Sequence, residues 1–431
     1  MYYISSITGN RYGITDTKDN VEEFYSREEV LELSKELRIH GVLEDTIKVF
    51  NLEALVLKYK LAGHGLECVK DGNDIVLARY KGNASHFDIP DFITKIDSEA
   101  FYFGVDLTSI TIPDSVTSIR ENAFVHCINL SSIVIPNSIT KIEDMAFFDC
   151  KKLTSVTIPD SVSSIGYGAF INCESLESVT IPDGVSTIEN RTFDNCADLI
   201  SIDIPDSVES IGAFAFQNCE SLESVTIPDR VTNIGSNAFS GCSNLESVNI
   251  PDGVKNIRAN TFKECESLTS IFIPDGVRSI GDDAFLECIN LILVLIPDSV
   301  KSIGDEAFEN CESLTSIFIP NGVRNIGIGA FYNCCNLELV RIPNSVTNIK
   351  YYTFGNCESL ISVTIPDGVR SIGERAFYNC TSLESVKIPD SVTVIKKEAF
   401  KNCDSLKRVE IPATCKLDKE VFPKRTKVVR R

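Results

Sequence analysis

The sequence has no long hydrophobic run and a deficit of basic residues. Its longest apolar stretch, residues 291–296, has six residues, whereas a membrane-spanning helix needs about 20. Lys and Arg number 41 against 61 Asp and Glu, which gives a formal charge of -20. Because phosphate backbones and anionic headgroups attract clustered cations, this balance argues against nucleic acid and membrane surfaces as partners. No membrane insertion is expected.

Export signals and catalytic motifs are also missing. Residues 1–6 have no basic stretch followed by an apolar one, as a secretory signal would have. We therefore expect a cytoplasmic protein, with the cell surface as the alternative location if the chain uses an export route that the sequence does not show. The four His residues lie singly, and no glycine-rich phosphate loop or nucleophile motif occurs. We predict no enzyme activity and no cofactor.

The sequence repeats with a strict period. The pair Ile-Pro recurs fifteen times, and each of the fourteen steps between copies is 23 residues long. Counting this Ile as the first place of a unit, Ile recurs at place eight, Phe at thirteen, Cys at sixteen, Leu at nineteen and Val or Ile at twenty-two. The departures from the full pattern are Phe92, Gly104 and Arg230. Such a period is typical of a solenoid, in which each unit forms one coil that stacks on the next.

Each unit predicts a short strand followed by a turn. Side chains should alternate in, out and in at Ile271, Phe272 and Ile273, which is strand periodicity. Pro cannot donate a hydrogen bond, so it should end the strand, and the Asp or Asn and Ser or Gly after it favour a turn. The return limb directs three apolar residues per coil inward, such as Val277, Ile280 and Phe285, from short irregular or single-turn helical segments. Stacking of these residues on their copies should supply the core.

This arrangement of Leu, Val or Ile, Ile-Pro, Phe and Cys closely resembles the BspA-like, or Treponema-type, class of leucine-rich repeats. The match runs from Ile89 to Ile411. The resemblance implies a right-handed leucine-rich-repeat solenoid with a parallel sheet on its concave side, and we expect short irregular or helical segments on the convex side. It also implies a non-enzymatic protein-protein interaction scaffold. The alternative function is a microbial cell-surface adhesin that binds a host or extracellular-matrix protein.

Three segments are predicted along the chain. Residues 1–80 lack the repeat, residues 81–412 form a solenoid of about 14 complete units, and residues 413–431 form a C-terminal cap and basic tail. In the first segment we predict helices near residues 27–39 and 52–61, a hairpin at Asp71-Gly72 and a strand pair around Gly9-Asn10. This segment is either a small α+β cap on the first coil or an independent module, and we favour the cap. The tail cations are expected to form a solvated end: Lys424, Arg425, Lys427, Arg430 and Arg431.

Thirteen of the sixteen Cys residues occupy place sixteen: Cys127, Cys150, Cys173, Cys196, Cys219, Cys242, Cys265, Cys288, Cys311, Cys334, Cys357, Cys380 and Cys403. One Cys per coil is not a zinc motif, so we interpret them as small buried hydrophobes with weak thiol donors, with disulfides between coils as the alternative. Cys335 lies outside the pattern and is either an exposed reactive thiol or an exposed unreactive one. The Asp after each Pro is interpreted as a turn former rather than as part of a calcium ladder, so no metal is predicted.

The places that should point outward from the strands break the pattern in one region. Most coils have Ser before the buried strand residue and many have Thr after it, but six residues depart from this: Phe272, Leu293, Leu295, Phe318, Leu339 and Arg341. Exposed apolar patches often mark interaction sites, and aromatic residues with Arg are common anchors. We predict that this stripe binds a protein partner or a second copy of the chain. The alternative is that these side chains only pack on one another along the sheet.

Overall fold

A computed structural model describes residues 3–7, 11–15, 65–71 and 74–431. The chain divides into two compact units, Met1–Leu176 and Glu177–Arg431. The repeating part of each unit is a parallel β-solenoid built from coils of 23 residues, as the period predicts. The helices predicted near residues 27–39 and 52–61 lie outside the described residues.

The first unit begins with short antiparallel strands. These are β1 (Tyr3–Ile7), β2 (Arg11–Thr15), β3 (Leu66–Asp71) and β4 (Asp74–Tyr80). Strands β1 and β2 pair with each other, and β3 pairs with β4 with Asp71 opposite Asp74. The strand pair near Gly9-Asn10 and the hairpin at Asp71-Gly72 are thus confirmed. Strand β4 also pairs in parallel with the first coil, with Leu77 opposite Ile96. That the whole segment caps the solenoid stays a prediction.

Each coil of the first unit contributes to two rows of strands. The first strand row, which precedes each Ile-Pro, contains β5 (His86–Asp88), β7 (Ser109–Thr111), β8 (Ser132–Val134) and β10 (Ser155–Thr157). The second strand row contains β6 (Lys95–Ile96), β9 (Lys141–Ile142) and β11 (Ser164–Ile165). Between β6 and β9, Ile119 forms single parallel bridges to the equivalent Ile of each neighbouring coil. Pairing places residues 23 apart opposite each other, such as Ser132 and Ser155.

The second unit has the same two strand rows. Its first strand row contains β12 (Ser178–Thr180), β14 (Ser201–Asp203), β16 (Ser224–Thr226), β18 (Ser247–Val248), β20 (Ser270–Phe272), β22 (Leu293–Leu295), β24 (Ser316–Phe318), β26 (Leu339–Arg341), β28 (Ser362–Thr364), β30 (Ser385–Lys387), β32 (Arg408–Ile411) and β34 (Lys427–Arg430). Its second strand row contains β13 (Thr187–Ile188), β15 (Ser210–Ile211), β17 (Asn233–Ile234), β19 (Asn256–Ile257), β21 (Ser279–Ile280), β23 (Ser302–Ile303), β25 (Asn325–Ile326), β27 (Asn348–Ile349), β29 (Ser371–Ile372), β31 (Val394–Ile395) and β33 (Lys416–Leu417).

A tight turn joins the two strand rows within a coil. After Ile273, the N–H of Val277 donates to the carbonyl of Pro274 at 3.0 Å. Pro ends the strand because it has no N–H for the ladder, and the Asp and Gly between these two residues occupy the turn. The predicted role of the Pro and of the Asp after it is confirmed by this geometry.

The rest of each coil consists of consecutive turns, and the described residues contain no helix. Of the irregular or helical segments expected on this side, the described residues show the irregular alternative. Asn237 and Gly241 have φ values of 59° and 75°, in the left-handed region that interrupts a right-handed helix. Their N–H groups donate to the carbonyl oxygens of Ala259 and Lys263 in the next coil, at 3.1 and 2.8 Å. The N–H of Ser240 donates to the carbonyl oxygen of Asn237 and forms a turn within the coil. Bonds between coils replace the bonds that a helix would form within one.

The core consists of ladders of equivalent side chains. The Phe of place thirteen is 0% exposed at Phe216, Phe239 and Phe262. The ring centroids are 5.3 Å apart in the first pair and 5.7 Å apart in the second, with nearly parallel planes. Such close packing of rings and of the neighbouring Ile, Val and Leu residues buries the apolar side of every coil against the next.

The C-terminal residues complete one more coil. Strand β34 pairs in parallel with β32 and places Val428 opposite Val409. The guanidinium of Arg430 donates to the carbonyls of Ala413 and Cys415, both at 2.9 Å. The backbone of the basic tail is thus part of the fold, because its strand satisfies the hydrogen-bonding groups of β32, while the five tail cations remain exposed as expected.

Candidate interaction surface

The outward side of the first strand row is formed by alternate residues of each strand. In β22, Val294 is buried while Leu293 and Leu295 point outward. A strand places successive side chains on opposite faces, so a three-residue strand with a buried centre exposes its two ends. The strand periodicity of the repeat therefore determines which places face solvent.

All six predicted site residues lie on this outward side, on four successive strands of the second unit. The exposed fractions are 59% for Phe272, 43% for Leu293, 49% for Leu295, 52% for Phe318 and 59% for Leu339, and Arg341 is also exposed. Phe272 lies opposite Leu295 in the pairing of β20 with β22, and Phe318 lies opposite Arg341 in the pairing of β24 with β26. Strands β22 and β24 lie side by side. The residues form one patch, which we call the apolar patch, and its binding role stays a prediction.

Part of the apolar patch packs on itself. The guanidinium carbon of Arg341 lies 5.2 Å from the centre of the Phe318 ring, a distance at which a cation is attracted to the ring face. This contact supports the alternative that neighbouring side chains stabilise the sheet. Because roughly half of each apolar side chain remains exposed, the packing still leaves a surface that a partner could bury.

Two further residues extend the apolar patch beyond the prediction. Ile292 and Ile361 are 55% and 49% exposed, and each immediately precedes a strand of the first row. They occupy place twenty of the unit, which is otherwise polar except at Ile200. A comparison of this place between coils would have found them in the sequence.

Charged side chains flank the apolar patch in a definite order. The coils that precede it carry Glu177, Asp203, Glu223 and Glu246 at outward places, without any Lys or Arg at those places. The coils that follow it carry Lys387, Lys407 and Arg408, interspersed with Glu384 and Glu410. All of these side chains are exposed. Along the second unit the surface therefore changes from acidic, through the apolar patch with the exposed Glu338 at its place twenty, to a mixture of cations and carboxylates.

The Cys ladder is a structural feature of the core. The Sγ atoms of Cys242 and Cys265 each lie 3.2 Å from the carbonyl oxygen of a Phe in the preceding coil. Burial raises the pKa of Cys242 to about 12. These contacts confirm the interpretation as buried hydrophobes with weak thiol donors. Within residues 65–71 and 74–431, together with the described strands before them, no three His, Cys, Asp or Glu side chains are arranged to hold a metal ion.

Cys335 is half-buried instead of fully exposed. Burial and the neighbouring carboxylates of Glu312 and Glu358 raise the pKa of its thiol. Because the thiolate is the reactive form, the structure favours the unreactive alternative for this residue.

Two clusters of ionisable groups lie on the turn side of the second unit. Burial and the carboxylates of Glu306, Asp283 and Glu287 raise the pKa of Glu309 to about 7. Glu398 has the opposite shift, because hydrogen bonds from Lys401 and Arg375 lower its pKa to about 2. The nitrogen-oxygen distances in this second cluster are 2.9 and 2.6 Å. Neither cluster belongs to the outward side of the first strand row.

Comparisons with known proteins agree with the fold. A family model described as a BspA type leucine-rich repeat region matches residues 78–200, 186–315 and 301–428. A crystal structure of a leucine-rich repeat protein from Bacteroides ovatus is similar with a TM-score of 0.75 and 29% identity, over 84% of this chain and 96% of that one. A leucine rich cell surface protein from Faecalibacterium prausnitzii is similar with a TM-score of 0.52 and 29% identity, over 84% of this chain and 94% of that one.

A search of curated proteins found no match. Among the described residues, no helix has the length and apolar character needed to cross a membrane.

Proposed function

Because the chain belongs to the BspA type leucine-rich repeat family, we propose that it is a non-enzymatic scaffold that binds a protein partner through the apolar patch. Leucine-rich repeat proteins act as protein-interaction scaffolds and are generally not catalytic. The observation that supports this surface is the clustering of Phe272, Leu295 and Phe318 on adjacent strands, each with about half of its side chain exposed. Large exposed apolar side chains with an adjacent Arg are typical anchors of protein interfaces.

Substitution of the apolar patch tests this proposal. Phe272→Thr, Leu295→Thr and Phe318→Thr together restore the residue type that other coils carry at this outward place, so the fold should be retained. We expect the triple variant to lose proteins that co-purify with the wild-type chain from a native lysate, since burial of each large apolar side chain contributes about 1.5–3 kcal/mol. Quantitative mass spectrometry of the captured proteins measures the loss.

The matched control is Val134→Thr, which changes another exposed apolar residue of the first strand row outside the apolar patch. It should retain the wild-type set of captured proteins. If the triple variant captures the same proteins in the same amounts as the wild type, the apolar patch is not the binding surface.

A cell-surface adhesin is the second candidate function. It is supported by the similarity to the Faecalibacterium prausnitzii protein whose name describes a cell surface protein. In that case the partner is a host or extracellular-matrix protein, whereas a scaffold that remains in the cytoplasm binds an intracellular one. Protease treatment of intact source cells separates the two, because only a surface protein is digested while the cells remain closed.

A further inference from the structure

Four exposed cations follow one another along the second strand row. Place six of the unit carries Thr, Ser or Glu in the coils before Lys255 and then a cation in four successive coils: Lys255, Arg278, Lys301 and Arg324. We call this set the basic row, and all four of its side chains are exposed. Such a series is unexpected in a chain with a formal charge of -20.

Hydrogen bonds between coils fix the spacing of the basic row. The backbone N–H of Arg278 donates to the carbonyl oxygen of Lys255 at 2.8 Å. The N–H of Lys301 donates to the carbonyl oxygen of Arg278 at 2.8 Å, and that of Arg324 donates to Lys301 at 2.9 Å. Each cation immediately precedes one strand of the sheet that β19, β21, β23 and β25 form. The row therefore advances by the strand spacing of about 4.8 Å and extends over about 14 Å.

The basic row is not neutralised within the molecule. In the part of the chain that the structure describes, none of its side chains forms an ion pair. The ammonium groups of Lys255 and Lys301 each donate one hydrogen bond to a backbone carbonyl, that of Asp252 at 3.2 Å and that of Asp298 at 3.1 Å. Because an ammonium group has three donors, both groups can still bind an anion.

The cations do not simply balance the Asp residues at place three. Arg324 shares its coil with Asn321, whereas the coil of Asp206 has Glu209 at place six. The cation at place six and the carboxylate at place three thus occur independently of each other. Like charges on neighbouring strands repel each other, so an anionic partner would remove a cost that the free protein bears.

Carboxylates border the basic row on both sides. Asp275 and Asp298 precede it on the side of the Pro turn, and Asp282 and Asp305 lie two residues after strands β21 and β23. A broad anionic surface, such as a membrane or a nucleic acid duplex, would bring its charges against these carboxylates. Anions that form a single line would meet the cations alone. The partner should therefore present one line of negative charges.

We propose that the basic row binds an α-helix of a protein partner whose Glu or Asp side chains form one row along that helix. Residues at i, i+4, i+7 and i+11 share one face of a helix and recur about once per turn of 5.4 Å. That step is close to the strand spacing, so each carboxylate reaches one cation through the flexible Lys or Arg side chain. In an extended peptide, side chains on one face recur about every 6.7 Å, so its carboxylates lose register with the basic row.

Two synthetic peptides of identical composition test the proposal. Both are Ala-rich and helical; the row peptide has Glu at i, i+4, i+7 and i+11, and its isomer distributes the same Glu residues around the helix. Binding of each labelled peptide to the full chain is measured by fluorescence anisotropy across a series of salt concentrations. We expect the row peptide to bind more tightly than the isomer by roughly fivefold or more. Its affinity should fall as salt is added, because the ion pairs are exposed.

Paired substitutions locate the peptide on the protein. Arg278→Glu with Lys301→Glu should weaken binding of the row peptide by roughly tenfold or more, because two attractions become repulsions. Arg278→Lys with Lys301→Arg keeps both charges and should bind like the wild type. The matched control is Lys387→Glu with Lys407→Glu, which makes the same change of charge at exposed residues of the first strand row and should also bind like the wild type. Circular dichroism checks that each variant is folded.

Three results would overturn the proposal: a row peptide that does not bind even at the lowest salt concentration, an isomer that binds equally well, or a control pair that weakens binding as much as the basic-row pair does. Hexagalacturonate is added as a competitor. If it displaces the labelled row peptide at a lower concentration than the unlabelled peptide does, the basic row is a site for an acidic polysaccharide and the helix is rejected.

This test is independent of the test of the apolar patch. The Thr triple variant changes only the first strand row, so it should bind the row peptide like the wild type. Loss of captured proteins in the triple variant and failure of the row peptide to bind are separate results, and each rejects or supports its own surface.

Discussion

Removing one ring from the Phe ladder tests whether stacking between coils holds the solenoid together. Phe239 is 0% exposed and its ring lies 5.3 Å from that of Phe216 and 5.7 Å from that of Phe262, measured between centroids. Replacing a buried Phe with Ala typically costs about 3–5 kcal/mol. Because Phe239→Ala also breaks a ring stack on each side, we expect a cost in the upper part of that range. A typical domain has only about 5–15 kcal/mol of stability.

The position of Phe239 in the middle of the array determines how the Phe239→Ala variant should unfold. Coils of a repeat array contact only their neighbours, so damage in one coil weakens the coupling between the coils on either side. We expect the urea transition of Phe239→Ala, followed by far-ultraviolet circular dichroism, to shift to lower denaturant and to broaden or split. A calorimetric scan should show the same loss of cooperativity.

The matched control is Phe272→Ala, which removes a ring that is 59% exposed. Its effect on the free energy of unfolding should be about 0.5 kcal/mol or less, as for most surface substitutions. A Phe239→Ala variant that unfolds in a single transition at the wild-type midpoint would refute the reasoning, since the ring would then contribute nothing to the coupling of the coils.

Two further predictions concern ionisable groups. The folded-state pKa of Glu309 is raised to about 7. Below the unfolded-state pKa the carboxyl group is neutral and costs no stability. As the pH rises from there to above the folded-state pKa, the charge on Glu309 increasingly destabilises the fold. Glu309→Gln should therefore stabilise the protein at pH 8 and leave it unchanged at pH 4, measured by urea midpoints; a pH-independent effect, or the same effect in the exposed control Glu312→Gln, would contradict this. Burial and raised pKa values predict that thiol reagents label the cysteines of the native protein slowly. Cys335→Ser should remove the fastest phase of this labelling, and intact-mass measurement counts the labelled thiols. Rapid modification of several thiols in the folded protein would disprove the buried ladder.

Much of the fold follows from local periodicity. The step of 23 residues, the alternation at Ile271, Phe272 and Ile273, and the Pro that ends the strand are all properties of a few consecutive residues. Because each coil repeats the same pattern, stacking of Phe239 on its copies follows without knowledge of the path between them. The exposure of the six patch residues follows for the same reason, since strand geometry alone directs them outward.

Other features depend on contacts between coils. The N–H groups of Asn237 and Gly241 donate to carbonyl oxygens that lie 22 residues further along the chain. Of the two alternatives that the sequence left open, the irregular one holds there, because hydrogen bonds to the next coil compete with those within the coil. In the same way, Arg341 lies over the Phe318 ring because residues 23 apart become neighbours.

The sequence by itself determined the repeat, the strand faces and the apolar patch, because these depend on residue type and on short-range geometry. Only the tertiary structure decided the turns of the return side and the cover that Arg341 provides to Phe318. Those features arise from stacking, which brings residues that are far apart in the chain to within one strand spacing of each other.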